Sequence, residues 1–291
     1  MNENEETPDI DEPEINEPTE NFASIEDSEE NWSPPPLPEE VVADEIEQPK
    51  MSEIGTIFNI FLEPGKTFED LRRKPRFIVA GLIMAVMFGV FAISFQKKLG
   101  EERYRSFIIE QNEKSPQFDS MNPAQKAQAV DFGLKIQQFV PYVLPVILFI
   151  GYFIGGLLYW LGLKAVGGSG KYLQSVSVFV YSSFPPFFTQ MLANFVLLFI
   201  KSADDIDIAD SQRGLLNANP TMFFNGKDTP VLTTLVSTLD LFAVWGVILA
   251  VIGLHKIGRI SRGTAIALAL VIHLIWITWR IVNAFISGVP V

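Results

Sequence analysis

Three ionisable residues, Asp240, His273 and Arg280, stand inside long apolar stretches of the chain. In hydrocarbon such a group is costly unless it is paired, so intramembrane charges mark ion pairs, proton relays or substrate paths. A second feature is VYSSFPPFF, residues 180–188, in which Pro185 and Pro186 interrupt an otherwise apolar helix pattern. Each proline removes a backbone donor, so the carbonyls of Tyr181 and Ser182 lose their usual partners. Two chemistries follow. In one the helix kinks, and hydroxyls such as Ser182, Ser183 and Thr189 help to satisfy the freed backbone. In the other it breaks and offers its carbonyls to an ion or substrate, as discontinuous helices do in transporters.

Other chemistry is scarce. The chain has no cysteine and only His255 and His273, so there is no CxxC, no HExxH and no multi-histidine metal set. GGSG at 167–170 lacks the following lysine and hydroxyl of a P-loop and reads as a turn between helices. His255, in a basic loop at a membrane edge, is expected to be solvated. An enzyme is not expected, nor is a cofactor. Gly151 and Gly155 form a GxxxG pair, which predicts close helix packing, with homo-oligomerisation as the second reading.

The elements that must position these residues are membrane spans. Of the 291 residues 48% are hydrophobic, including 24 phenylalanines gathered in long runs. A helix needs about 20 apolar residues to cross about 30 Å of hydrocarbon. Five segments qualify: 77–95, 139–161, 172–200, 232–254 and 264–287. The fold class expected is therefore all-α, a five-transmembrane-helix bundle, and the domain boundary falls near residue 50. Residues 1–50 carry 18 acidic residues against Lys50 alone, with eight prolines. A segment so charged and so poor in apolar residues cannot offset its chain entropy, which predicts a disordered acidic tail. Its acidity also argues against a secretory signal peptide.

Ahead of the first span, Ile54, Ile57, Phe58, Phe61 and Leu62 recur at helical spacing, followed by Lys66, Arg72, Arg73, Lys74 and Arg76. This pattern predicts a helix in the membrane interface with the bases near anionic headgroups. A helix docked on the bundle would bury the same stripe. NPAQKAQ, from Asn122, predicts a capped helix with Pro123 at its first position that runs into the second span. The pre-span run, KAVGGSGK and HKIGRISR carry five, two and three Lys or Arg and fall on one side of a five-span chain. The positive-inside rule then puts the N-terminus in the cytoplasm and the C-terminus outside, although the first loop on the other side holds seven bases.

Asp240 lies 19 residues before Arg259, in the loop joining the last two spans, and Arg280 lies 21 after it. At 1.5 Å per residue their depths differ by about 3 Å, which predicts an Asp240–Arg280 ion pair with His273 two turns away on the same face.

FLEPGKTFEDLRRKP, VFVYSSFPP and DLFAVWGVILAVIGLHKIGRISRGTAIAL together resemble the Yip1 family over about residues 52–286. The resemblance implies five helices and a cytosolic N-terminal tail. It also implies an inner-membrane protein of the prokaryotic type, some members of which associate with ABC exporters. The long acidic tail and compact loops depart from the Rab-binding eukaryotic pattern. The function expected is a non-enzymatic membrane-organising or partner-recruiting module. The alternative is a transport component or ABC-exporter subunit using the Pro185/Pro186 break and the intramembrane charges. Its expected partners are the lipid bilayer and other membrane proteins, with no nucleic acid.

Overall fold

A computed structural model describes residues 48–291, apart from 114, 209–210, 212–213, 217, 224–228 and 288–291. Of the acidic tail expected to be disordered over residues 1–50, residues 1–47 lie outside the described residues, and Lys50 is held by a hydrogen bond to Asp70. All regular structure among the described residues is helical, and five helices are long and apolar enough to cross a membrane.

The described residues begin with two short helices where the sequence predicts one. Ser52 caps α1, Glu53–Leu62, by accepting the Gly55 N–H at 3.0 Å. Pro64 cannot continue that helix and starts α2, Pro64–Arg73. The first span, α3, is Ile78–Leu99, stopped by Gly100 at φ 77°, where a side chain would be strained. Two helices outside the apolar layer follow, α4 (Glu101–Glu113) and α5 (Pro116–Asp119).

The second span, α6, is Pro123–Ala165, begun by the reciprocal capping box of Asn122 and Gln125. Its 43 residues extend about 65 Å, twice what a bilayer core requires. The first third packs on α4, where Arg105 reaches Asp131 at 3.0 Å. The third span, α7, is Tyr172–Ile200, with the boundaries the sequence predicts.

The expected fourth span is not one helix. It divides into α8, Pro230–Ser237, and α9, Leu241–Gly258, separated at Thr238–Asp240. The last span, α10, is Arg262–Ser287.

Glycines let these helices approach closely. Antiparallel α3 and α6 meet at Gly81 against Tyr152, Gly89 against Pro145, and Gln96 against Gln137. Gly155 and Gly156 of α6 lie on Phe179 and Val176 of α7, and Gly253 of α9 lies on Val178. Gly162 of α6 receives Leu268 of α10. Gly151, the other half of the expected packing pair, has nothing within 4 Å of where a side chain would begin. The close α6–α7 approach thus uses Gly155 and Gly156.

The three basic segments gather on one face, called here the basic face. GGSG is a packed turn: the Ser169 N–H donates to Gly258 O at 3.0 Å, and the Gln174 side chain donates to Arg72 O at 2.6 Å. His255 is not free in solvent either. Its Nδ1–H donates to Ile260 O at 2.6 Å, across the left-handed turn at Arg259. At the opposite face Lys98 donates to Leu198 O and Lys201 O, placing a cation at the negative end of α7.

Candidate functional site

Asp240 and Arg280 come close enough for their charges to interact, as the depth match predicts, while each is also anchored by hydrogen bonds to other groups. Because the apolar run breaks at Asp240, its carboxylate is the N-cap of α9, accepting from Phe242 N at 2.9 Å and Ala243 N at 3.2 Å. Its other oxygen accepts from Asn219 at 3.3 Å. Arg280 donates to Ser237 Oγ at 2.9 Å, at the end of α8. The depth match that suggested a pair is real, but the break gives Asp240 backbone donors a straight helix would not expose. His273 is half-buried on α10 and makes no hydrogen bond among the described residues. Asp240→Ala is expected to cost about 1 kcal/mol, the worth of a lost cap, in thermal unfolding of the detergent-solubilised protein.

The double proline does not break its helix. α7 is continuous through Pro185 and Pro186, both of which are buried. The Ser182 and Ser183 hydroxyls donate to Phe179 O at 3.1 and 2.8 Å, one turn back. The Ser182 carbonyl freed by Pro186 faces Gly246, where a side-chain carbon would lie 3.6 Å from the oxygen. A glycine therefore lets α9 cover an exposed carbonyl with its own backbone, the arrangement in which weak Cα–H···O contacts form. The same device recurs in α6, where Pro141 and Pro145 carry no obvious signal beside the double proline. Pro141 frees Gln137 O, which accepts from Gln96 at 3.1 Å, and Pro145 frees Pro141 O, which faces Gly89.

What the double-proline segment receives is the N-terminal pair of helices. Phe184 and Phe188 stack at 5.6 Å, and Phe61 of α1 packs edge-on against both, at 5.9 and 6.1 Å, and against Trp245 at 6.3 Å. Phe68 of α2 is fully buried beside Gly253 and Val178. The expected interfacial stripe is thus divided. Ile57 and Phe61 join the core, while Ile54, Phe58 and Leu62 remain exposed along the outer edge of α1.

The charges around this docked pair also differ from expectation. Arg76 is not at the headgroups: its side chain is 5% exposed and lies 3.2 Å from Asp70, which is 1% exposed. Arg76 also donates to Thr56 Oγ1 at 2.8 Å and lies 3.6 Å from Glu53. Asp70 further accepts the Lys50 backbone N–H at 2.5 Å and has Arg73 at 3.8 Å. Lys66 and Lys74 are exposed, Lys66 beside Glu63 at 2.7 Å, and Arg72 is half-buried. The hydroxyl of fully buried Tyr181 lies within the influence of Glu53 and Arg76, with no hydrogen-bond partner among the described residues.

This network is the candidate site. It is a latch, in which one carboxylate holds the chain entering at Lys50, the guanidinium entering α3 and, through α2, the wedge formed by Phe61 and Phe68. The sequence offered little sign of Asp70, since FEDLRR reads equally well as a solvated helix face. The only hint is that Thr67, Phe68 and Leu71 define a buried side that Asp70 borders.

A membrane bundle with these helices is consistent with the comparisons. A membrane protein of Bacillus subtilis strain 168, YknW, is 23% identical over 238 residues, covering 82% of this chain and 94% of its own. No solved structure matches. The Yip1 domain pattern matches residues 58–281, a stretch that takes in α2, the latch residues Asp70 and Arg76, the first four long helices and most of the fifth, so the chain belongs to the Yip1 family of membrane proteins.

Proposed function

We propose that the protein is a non-enzymatic membrane module that recruits or organises other integral membrane proteins, ABC-type exporters among them, through its acidic N-terminal arm. The observation that carries this is the latch. The arm enters the membrane domain at Lys50, where its backbone is hydrogen-bonded to buried Asp70, and the next two helices are wedged into α7 and α9. Such a construction suits presentation of an arm from a firm base. The continuity of α7 through Pro185 and Pro186 favours this reading over the transport one, which drew on a helix break there as well as on the charges of Asp240, His273 and Arg280.

The proposed setting is a bacterial inner membrane with the basic face toward the cytoplasm. Four of the seven bases that argue against this orientation have local partners on the opposite face. Lys98 and Arg103 donate to backbone carbonyls, Arg105 reaches Asp131, and Lys126 lies 5.1 Å from the Phe118 ring centre. Bases engaged in this way are already part of folded structure, whereas Lys74 remains exposed on the basic face.

The test uses the full chain carrying a photocrosslinker at Glu29, in native membranes and then purified into proteoliposomes. Expected is capture of an integral membrane protein, lost when residues 2–46 are deleted although the remaining chain still inserts and unfolds at the same temperature. Movement of protons, sodium or potassium by the purified protein alone, or capture unchanged without the arm, would overturn the proposal.

A further inference from the structure

The latch brings both ends of the α1–α2 pair to one level of the bundle. Asp70, near the end of α2, holds the Lys50 N–H at 2.5 Å, and Arg76, just beyond α2, donates to Ser52 O at 3.4 Å. Between these ends the chain descends along α7 and α9 and returns. Phe61, beside the turn, meets Phe184 and Phe188, which lie 12 and 16 residues from the start of α7 at Tyr172, and Trp245, 13 residues from the end of α9 at Gly258. These contacts stand about 18–24 Å from the basic ends of the two helices. On the way back, Phe68 lies at Gly253, about 7 Å from the end of α9, and Arg72 O accepts from Gln174 in the first turn of α7. Entry and exit are therefore on the same side.

The surface of this pair suits hydrocarbon. From Ile54 to Leu62 the exposed residues of α1 are Ile54, Phe58 and Leu62, one per turn, at 66%, 68% and 80% exposure. The solvent side of a helix in water carries polar residues instead. The ionisable residues between 54 and 70 are Glu63, Lys66, Glu69 and Asp70, and each has an opposite charge within reach. Glu63 meets Lys66 at 2.7 Å, Glu69 meets Lys256 at 3.7 Å, and Asp70 meets Arg76 at 3.2 Å. Such pairing is what charges need inside a membrane. The turn is economical too: Glu63 N–H bonds Asn59 O at 2.7 Å, Pro64 has no N–H, and Glu63 O accepts from Thr67 N at 3.1 Å.

We propose that α1 and α2 form a re-entrant hairpin in the leaflet on the basic face, and that acyl chains of that leaflet cover Ile54, Phe58 and Leu62. The depth of Phe61 carries the assignment, since a helix end packed beside the middle of α7 has lipid on its open side. The acidic arm does not suit this face, because its 18 acidic residues would have to be desolvated against three apolar side chains. A helix lying flat in the interface would hold the three residues at a single depth. In the hairpin, Leu62 is about 12 Å further along a descending helix than Ile54. Because it enters and leaves on one side, the hairpin adds no crossing to the five spans. It holds whichever face is cytoplasmic and does not rest on the recruiting function.

The chain has no cysteine, so single cysteines can carry a nitroxide without other changes. The experiment uses the full-length protein in proteoliposomes with Ile54→Cys, Phe58→Cys or Leu62→Cys, each at an exposed position where the core is untouched. Leu158→Cys, exposed on α6, is the lipid reference, and Lys74→Cys, exposed on the basic face, is the water reference. Collision of the nitroxide with oxygen, which concentrates in hydrocarbon, and with a water-soluble nickel chelate reads the depth. Expected at Phe58→Cys and Leu62→Cys is oxygen collision as high as at Leu158→Cys and nickel collision several-fold below that at Lys74→Cys. The oxygen-to-nickel ratio should rise from Ile54→Cys through Phe58→Cys to Leu62→Cys. Equal ratios at the three positions, as for a flat helix, would overturn the proposal. So would nickel collision matching Lys74→Cys, which means water, or low collision with both reagents, which means a protein surface such as a second copy of the chain.

Discussion

Asp70→Ala is expected to destabilise the protein by about 3–5 kcal/mol and to release α1 and α2 from the bundle. The size follows from what remains behind. Arg76 keeps its charge with its side chain only 5% exposed, and its remaining carboxylate, Glu53, is half exposed at 3.6 Å. Arg73, 11% exposed, loses its neighbour too, and Lys50 N loses its acceptor. Water cannot easily compensate, because Thr56, Thr67, Phe68 and Leu71 surround the site with no exposure. Unfolding of the detergent-solubilised protein should show the loss, and limited proteolysis should show new cleavage between residues 50 and 76. The double variant Asp70→Leu, Arg76→Met should recover much of the stability, since a buried pair replaced by apolar groups is often neutral. Effects that simply add would mean that the two residues do not act together.

The latch also explains which parts of this protein are legible in its sequence. The long apolar runs are, because burying a backbone in hydrocarbon leaves few alternatives to a helix. Asn122 and Pro123 were equally readable, since capping chemistry depends on neighbours along the chain. Asp70 and Arg76 were not. Whether a charged residue on an amphipathic helix faces lipid headgroups or a partner is decided by tertiary packing, six residues of chain and a turn away. The basic cluster KTFEDLRRKPR therefore read as one membrane-facing surface, although its last arginine is among the least exposed residues of the segment.

The break at Asp240 was hidden for a related reason. Residues 230–258 are apolar on both sides of Ser237–Asp240, so hydropathy alone joins α8 to α9. The signal present was local: STLD offers an aspartate directly before an apolar helix start, the ordinary sign of an N-cap. Inside an assumed span it was read as a charge in need of a partner. The same assumption allowed a full break at Pro185 and Pro186, whereas the residues around them stay helical. A helix can stay continuous when a neighbouring glycine backbone covers the freed carbonyl, and Gly246 is too far along the chain for VYSSFPPFF to reveal it.

Glycine substitutions five residues apart in α6 should separate contact from coincidence. At Gly156 a side-chain carbon would lie 2.5 Å from Val176 Cγ2, 2.6 Å from its Cα and 2.9 Å from its backbone nitrogen. Two of these atoms belong to the backbone of α7, so Gly156→Ala can be accommodated only by moving one helix away from the other. Overpacking of this kind costs about 1–3 kcal/mol, occasionally more, and rigid backbone places it at the upper end. At Gly151 nothing lies within 4 Å, so Gly151→Ala should be neutral or stabilise by up to about 1 kcal/mol through helix propensity. A shift in oligomeric state with Gly151→Ala would instead show that this glycine serves a second copy of the chain. Adding Val176→Ala to Gly156→Ala should restore little, because it removes Cγ2 and leaves the Cα and nitrogen in place. Substantial rescue would mean that the contact is side-chain packing, and the close backbone approach of α6 and α7 would not be what their glycine provides.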